Sequence, residues 1–162
     1  KMKSKAVFLD RDGVINEKRD DHVKNISEFR IFSGVGDAIK LLRDKGYLVI
    51  IITNQSAIGR KIISEKTLDE IHTELKNYLN QHDTHVDSIY YCPHTPEENC
   101  SCRKPKPGLL IKATNDFDID LEKSYFIGDS ESDLNAAKEA RCKGILLKND
   151  QTLLQIVQNQ LS

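Results

Sequence analysis

Two aspartates, Asp10 and Asp12, stand one residue apart in FLDRDGVIN, where an apolar run stops and a glycine turn begins. At the end of a buried strand such a pair can do two jobs on one loop. A carboxylate held at a divalent cation can attack a phosphoryl group in line, because the metal and a nearby cationic side chain offset the negative charges of attacker and substrate. The second carboxylate can protonate the leaving oxygen and later deprotonate the water that cleaves the acyl phosphate. Alone, Asp-x-Asp-Gly is equally a turn after a strand, since Asp and Gly are common turn formers. Other strand ends add to it: Thr53 and Asn54 follow a second apolar run, and Asp129 and Asp133 follow a later one. Asp10, Asp12 and Asp129 brought together would repel one another at low dielectric, so a cation is expected among them, and hard oxygen ligands select Mg2+. Thr53 is expected to offer its hydroxyl to a phosphoryl oxygen, and Lys104 or Lys106 of RKPKPG to neutralise the transferring group. Asp129 and Asp133, one turn apart at a helix start, also fit helix caps that favour the macrodipole.

A second cluster has different chemistry. Cys92, His94, Cys100 and Cys102 supply three thiolates and one imidazole across a short spacer, a set suited to tetrahedral Zn2+ with no position left for water. A structural zinc is therefore expected, pinning the loop that carries Arg103 and Lys104. The remaining histidines, His22, His72, His82 and His85, lack such company and are expected to be ordinary surface residues.

The elements that must position these groups follow from hydrophobic periodicity. Short β-rich runs at about 6–9, 48–52, 88–91, 124–127 and 144–147 alternate with helical patterns at about 34–45, 64–82, 107–116, 131–141 and 151–160. Five apolar strands separated by helices predict a parallel sheet covered on both faces, the three-layer α/β/α doubly wound (Rossmann-like) class. In such a sheet ligands bind at the carboxyl ends of the strands. Ser33 is expected to cap the first helix and Gly46 to end it, Ser64 or Thr67 to cap the second, and Pro107 to sit in the first turn of the third.

The 162 residues fall at the prior for one domain, 1–162, with a core large enough to need no disulfides. Lys and Arg number 24 against 25 Asp and Glu, a net charge of -1, so no global field favours nucleic acid or an anionic membrane. No apolar run approaches the roughly 18 residues of a membrane span, and no signal-peptide core follows the basic start, so a cytoplasmic protein is expected.

Taken together, LDRDG, TNQ, the lysine of RKPKPG and GDSESD resemble, in order, the four motifs of the haloacid dehalogenase superfamily of aspartate-nucleophile phosphatases. The resemblance runs from about Ala6 to Leu147. It implies Asp10 as nucleophile, Asp12 as general acid/base, Thr53 as the second-motif threonine and Asp129 as metal ligand. It also implies a sheet with strand order 3-2-1-4-5 and no large cap domain. Within the superfamily, DRDGVIN, TNQSAIGR and CPH followed by CSCRKPKPG are similar to the histidinol-phosphatase-like subgroup, and in it to the heptose-bisphosphate 7-phosphatases. That similarity favours Lys104 over Lys106, makes Arg103 a substrate-phosphate ligand, and implies substrate contacts from Asn54 and Arg60. The chain departs from the subgroup at SAIGRK, at Asp21, His22 and Val23, and at Ser130. The expectation is a monomeric, Mg2+-dependent phosphatase of a small phosphorylated metabolite, a heptose bisphosphate first. Histidinol phosphate is the alternative that Glu17, Asp20 and Asp21 keep open. A nucleic-acid 3'-phosphatase and a noncatalytic phosphoryl-binding module are the others.

Overall fold

The computed structural model describes residues 2–161. Five parallel strands form one sheet in the order β3-β2-β1-β4-β5: β1 Ala6–Leu9, β2 Leu48–Asn54, β3 Ser88–Cys92, β4 Tyr125–Gly128 and β5 Lys143–Leu146. The helices are α1 Val35–Asp44, α2 Ser56–Gly59, α3 Glu65–Gln81, α4 Gly108–Phe117, α5 Glu131–Glu139 and α6 Leu153–Gln160. The strand order is the one the family resemblance implies, and every long element matches the periodicity argument. The four-residue α2 was not expected, because one turn carries no period to detect.

Strand β1 is central and wholly buried, and alternate residues feed two cores. Val7, Leu9, Val49, Ile51 and Ile127 pack with Ile39 and Leu42 of α1, Ile71 and Leu75 of α3 and Ile156 of α6. Ala6, Phe8, Ile50, Ile52 and Phe126 point to the opposite face, against Leu110 of α4 and Ala136 and Ala137 of α5. Phe8 and Phe126, paired in register, meet edge-on at 6.5 Å. Each such buried side chain contributes roughly 1.5–3 kcal/mol relative to exposure, so the strand ends are fixed from both faces.

Two cap expectations are corrected. Ser33 does not cap α1: Gly34 occupies the N-cap with φ 85° and no side-chain bond, because the chain enters the helix through a left-handed turn that glycine takes without strain. Pro107 is the residue before the first turn of α4 and not within it. Ser64 does cap α3, accepting from the Thr67 amide at 3.1 Å, and Gly46 follows α1 with φ 92°. No helix among the described residues is long and apolar enough to cross a membrane.

Candidate active site

The carboxyl ends of β1, β2 and β4 converge, and the charges there are interlocked. Asp10 directly follows β1, tied by its amide to the carbonyl of Ile127 at 3.1 Å. Its Oδ1 accepts from the Arg11 amide at 2.8 Å and lies 3.0 Å from Lys104 Nζ. Lys104, buried at 4% exposure, also reaches Asp133 Oδ1 at 2.7 Å and donates to the carbonyl of Ile52 at 3.1 Å. Burial pulls the lysine's proton affinity down, but Asp10 and Asp133 more than restore it and hold it above the usual amine value. Burial pushes Asp10 up to about 7, with Lys104 opposing and Asp133 and Asp12 adding to the rise.

Asp133 does both things its spacing allowed. Its Oδ2 accepts from the amides of Asp129 (3.1 Å) and Ser130 (3.2 Å) and from Ser130 Oγ (3.1 Å). That arrangement is a capping box at the start of α5, and its other oxygen holds Lys104. The two lysines of RKPKPG part company: Lys106 Nζ turns to Asn99 Oδ1 and the Cys100 carbonyl, at 3.1 and 2.9 Å. Asn54 was expected to bind substrate. It lines the cleft, yet its side-chain amide clamps the backbone of Lys104, accepting from the amide at 3.1 Å and donating to the carbonyl at 3.3 Å.

Oxygens of Asp10, Asp129 and Asp133 lie within 4.8 Å of one another, a donor set that suits a small hard cation. Both oxygens of Asp133 already have partners, which leaves Asp10 and Asp129 as the carboxylates with coordinating capacity. Burial raises Asp129, with Lys18 at 3.8 Å partly offsetting. A cation between these groups would relieve the burial that raises both carboxyls. The close fit needs Gly13, whose φ is 90° and where a Cβ would overlap the Asp129 carboxylate.

The carboxylate of Asp12, expected at the metal, falls outside that set. Its Oδ1 accepts from Arg11 Nη2 (2.9 Å) and Nε (3.3 Å) and from Asn16 Nδ2 (2.9 Å), and its Oδ2 from Gln55 Nε2 (2.8 Å). Burial pushes Asp12 up, but the Arg11 guanidinium and these hydrogen bonds outweigh it and hold the group below the usual carboxylate value. Gln55 also donates to Thr53 Oγ1 at 3.0 Å, joining the ends of β1 and β2. His72 corrects the surface assignment: it is 6% exposed, on the inner side of α3, and within 3.2 Å of Arg11 Nη1. Its position, two and three residues from charged neighbours on an amphipathic helix, carried no signal, because its partner is contributed by another element.

Cys92, at the end of β3, gathers the second cluster. Its sulfur lies 2.8 Å from that of Cys102 and 3.5 Å from that of Cys100. His94 Nδ1 is 3.5 Å from Cys92 Sγ and 3.3 Å from Cys102 Sγ. All four cysteines of the chain are free. Burial, with the neighbouring thiols adding to it, pushes the Cys92 thiol up. The donor set of three sulfurs and one imidazole nitrogen suits zinc, whose charge would let the thiols ionise.

These groups open into a cleft of about 400 Å³. Lys18, Arg19, Asp20 and His22 line it together with Arg103 and Ser130. Arg103 Nη1 donates to the carbonyl of His94 at 3.3 Å. The wall beyond β1 is braced by crossed ion pairs: Arg19 with Asp21 (3.1 Å) and Glu28 (3.2 Å), Lys24 with Asp21 (2.7 Å) and Glu28 (3.1 Å). Arg60 is exposed at the end of α2 and is not part of the cleft lining.

Comparison with known proteins agrees with this geometry. A family model described as Polynucleotide kinase 3 phosphatase matches residues 5–154. D-glycero-beta-D-manno-heptose-1,7-bisphosphate 7-phosphatase of Haemophilus ducreyi is 45% identical over 150 residues, 88% of this chain and 81% of the relative. The enzyme of the same name from Neisseria meningitidis serogroup A is 42% identical over 132 residues, 82% of this chain and 71% of the relative. The chain belongs to this haloacid dehalogenase-like phosphatase family, among the heptose-bisphosphate 7-phosphatases. The crystal structure of D,D-heptose 1,7-bisphosphate phosphatase from B. bronchiseptica, complexed with magnesium and phosphate, superposes with a TM-score of 0.90 at 33% identity, covering 97% of this chain and 98% of that one.

Proposed function

We propose that this chain hydrolyses the 7-phosphate of D-glycero-D-manno-heptose 1,7-bisphosphate in a Mg2+-dependent reaction through a phospho-Asp10 intermediate. The observation that carries the reading is Lys104, buried between Asp10 and Asp133 with Asp10 facing a cleft walled by Lys18, Arg19 and Arg103. Asp10 and Asp129 would hold the magnesium. When bound, it supplies charge neutralisation for the phosphoryl oxygens and the ionised nucleophile.

Asp10 attacks phosphorus through its carboxylate, and the bond from phosphorus to the sugar oxygen breaks. Lys104, held by Asp133, balances the charge that moves onto the phosphoryl oxygens. Arg11, Asn16 and Gln55 hold Asp12 as a carboxylate; the arrival of a phosphate dianion beside it raises its proton affinity, so that it takes up a proton from solvent. Asp12 delivers that proton to the departing alkoxide. It then takes a proton from water, which attacks the acyl phosphate and returns Asp10 as a carboxylate with inorganic phosphate released. Thr53, buried near the end of β2 and hydrogen bonded to Gln55, would offer its hydroxyl to a phosphoryl oxygen. Arg103 at the cleft wall faces the substrate. Zn2+ at Cys92, His94, Cys100 and Cys102 would fix the loop that carries Arg103 and Lys104.

The family model favours one second reading, removal of a 3'-phosphate from nucleic acid. Against it stand the net charge of -1 and the sugar-phosphatase names of the relatives that span most of the chain. Phosphate release from the heptose bisphosphate, its β anomer first, is to be compared with histidinol phosphate and a 3'-phosphorylated oligonucleotide, with Asp10→Asn alongside. The expected result is a clear preference for the bisphosphate and loss of release in Asp10→Asn. Equal release by Asp10→Asn, or a preference for either competitor, would overturn the reading.

A further inference from the structure

Behind Asp12, on the side away from the cleft, lies a buried cation that the chemistry described above does not use. Arg11 is 1% exposed, and its guanidinium has three polar contacts: two to Asp12 Oδ1 and one to His72 Nε2. Its guanidinium carbon sits 5.4 Å from the centroid of the Phe29 ring. A guanidinium has donors only, so the nitrogen of His72 that faces it must be the acceptor. The imidazole is therefore neutral, with its proton on Nδ1. This is a defined chemical state, imposed by a partner 61 residues away in the chain.

The geometry points to His72 as a positioning residue for the reaction: by accepting from Arg11 Nη1 it fixes the plane of the guanidinium, and that plane fixes where Asp12 presents its carboxylate. The inference rests on the reading of Asp12 as the proton-transfer group. The neighbouring structure supports a positioning role. Arg11 is adjacent to Asp12 in the chain, so its side chain must double back to reach the carboxylate, and without a far anchor its flexible stem would sample other rotamers. His72 is that anchor: it stands on α3, whose Ile71 and Leu75 are fully buried, so the acceptor is carried by a rigid element. Removing it would leave a guanidinium N–H buried without a partner, a state that is expensive to keep and that Arg11 relieves by turning. A displaced Arg11 lets Asp12 move, and misplacement of a proton-transfer group by an ångström lowers turnover while leaving substrate contacts in place.

The test compares His72→Leu and His72→Gln with wild type and Asp10→Asn in Mg2+-supported phosphate release from the heptose bisphosphate. His72→Leu is expected to lower kcat roughly tenfold or more with KM within about twofold, and His72→Gln, whose amide oxygen can accept from Arg11, to recover most of the loss. Unchanged kcat in His72→Leu, a loss confined to KM, or equal impairment in both variants would overturn the inference while wild type remains active and Asp10→Asn inactive. Failure of the functional reading is distinct: wild type releases no phosphate, or Asp10→Asn is as active as wild type. Nitrogen-15 chemical shifts of His72 in the wild-type protein give a readout that needs no variant to fold. The expected signature is an unprotonated Nε2 with a proton on Nδ1, and a proton on Nε2 would overturn the inference.

Discussion

Asp133→Asn isolates the buried charge pair that holds Lys104. The side chain keeps its shape, and the amide oxygen still accepts from the amides of Asp129 and Ser130, so the cap of α5 survives. What changes is the oxygen 2.7 Å from Lys104 Nζ, which becomes an N–H group facing an ammonium. Removing one partner of a buried pair costs about 3–5 kcal/mol, since the remaining charge keeps its desolvation penalty. Lys104 retains Asp10 at 3.0 Å and the Ile52 carbonyl at 3.1 Å, so the lower end, about 3 kcal/mol, is expected. For a domain of this size that corresponds to a fall in Tm of roughly 6–12 °C. Thermal unfolding followed by far-UV circular dichroism at pH 7.5 measures it, with Ser130→Ala as the control that weakens the cap alone at about 1 kcal/mol. Turnover falls as well, because Lys104 is drawn onto the nucleophile when Asp133 no longer shares it. An Asp133→Asn protein within about 2 °C of wild type and with unchanged kcat would refute the argument that this pair is a structural determinant of the site.

Three further outcomes follow. Gly13→Ala places a methyl against Asp129 at a position of φ 90°, so a large rise in the Mg2+ concentration needed for half-maximal phosphate release is expected, and an unchanged Mg2+ titration would contradict it. Removing zinc with a chelator is expected to expose the thiols of Cys92, Cys100 and Cys102 to titration and to raise KM more than it lowers kcat; a protein that carries no zinc and whose three thiols titrate freely from the outset refutes the zinc loop. His72 gives a pH dependence. Burial, with Arg11 adding to it, pulls its pKa from 6.5 to about 3, so between those values the unfolded chain binds the extra proton. Stability therefore falls as pH drops below about 6.5, by up to roughly 1.4 kcal/mol per pH unit. Urea midpoints at pH 7.5 and 5.5 should separate more in wild type than in His72→Gln, and equal separations would rule the effect out.

Much of the site was legible in the chain because its groups sit where strands end. Asp10 and Asp129 follow apolar runs that can only be buried strands, and a parallel sheet brings such ends together. The sulfur cluster was legible from spacing, since Cys92, His94, Cys100 and Cys102 are local. Arg60 illustrates the limit: a resemblance in TNQSAIGR supplied its expected role, and the residue stands exposed just after α2, outside those that line the cleft. Asn54 shows another, since no pattern reveals that an amide at a strand end will hold the backbone fifty residues on.

The sequence by itself determined the layered α/β class, the five strands, the identity of the charged loop residues and the reaction type they permit. Periodicity and strand-end placement are local properties that burial converts directly into structure. Tertiary structure alone decided how those charges are shared: Lys104 held between Asp10 and Asp133, Asp133 as both cap and lysine partner, Asp12 tied to Gln55 of the next strand end, and Arg11 anchored by a buried His72. Each of these depends on which groups meet across elements at about 3 Å, where desolvation and hydrogen bonding choose among partners that composition and spacing leave equivalent.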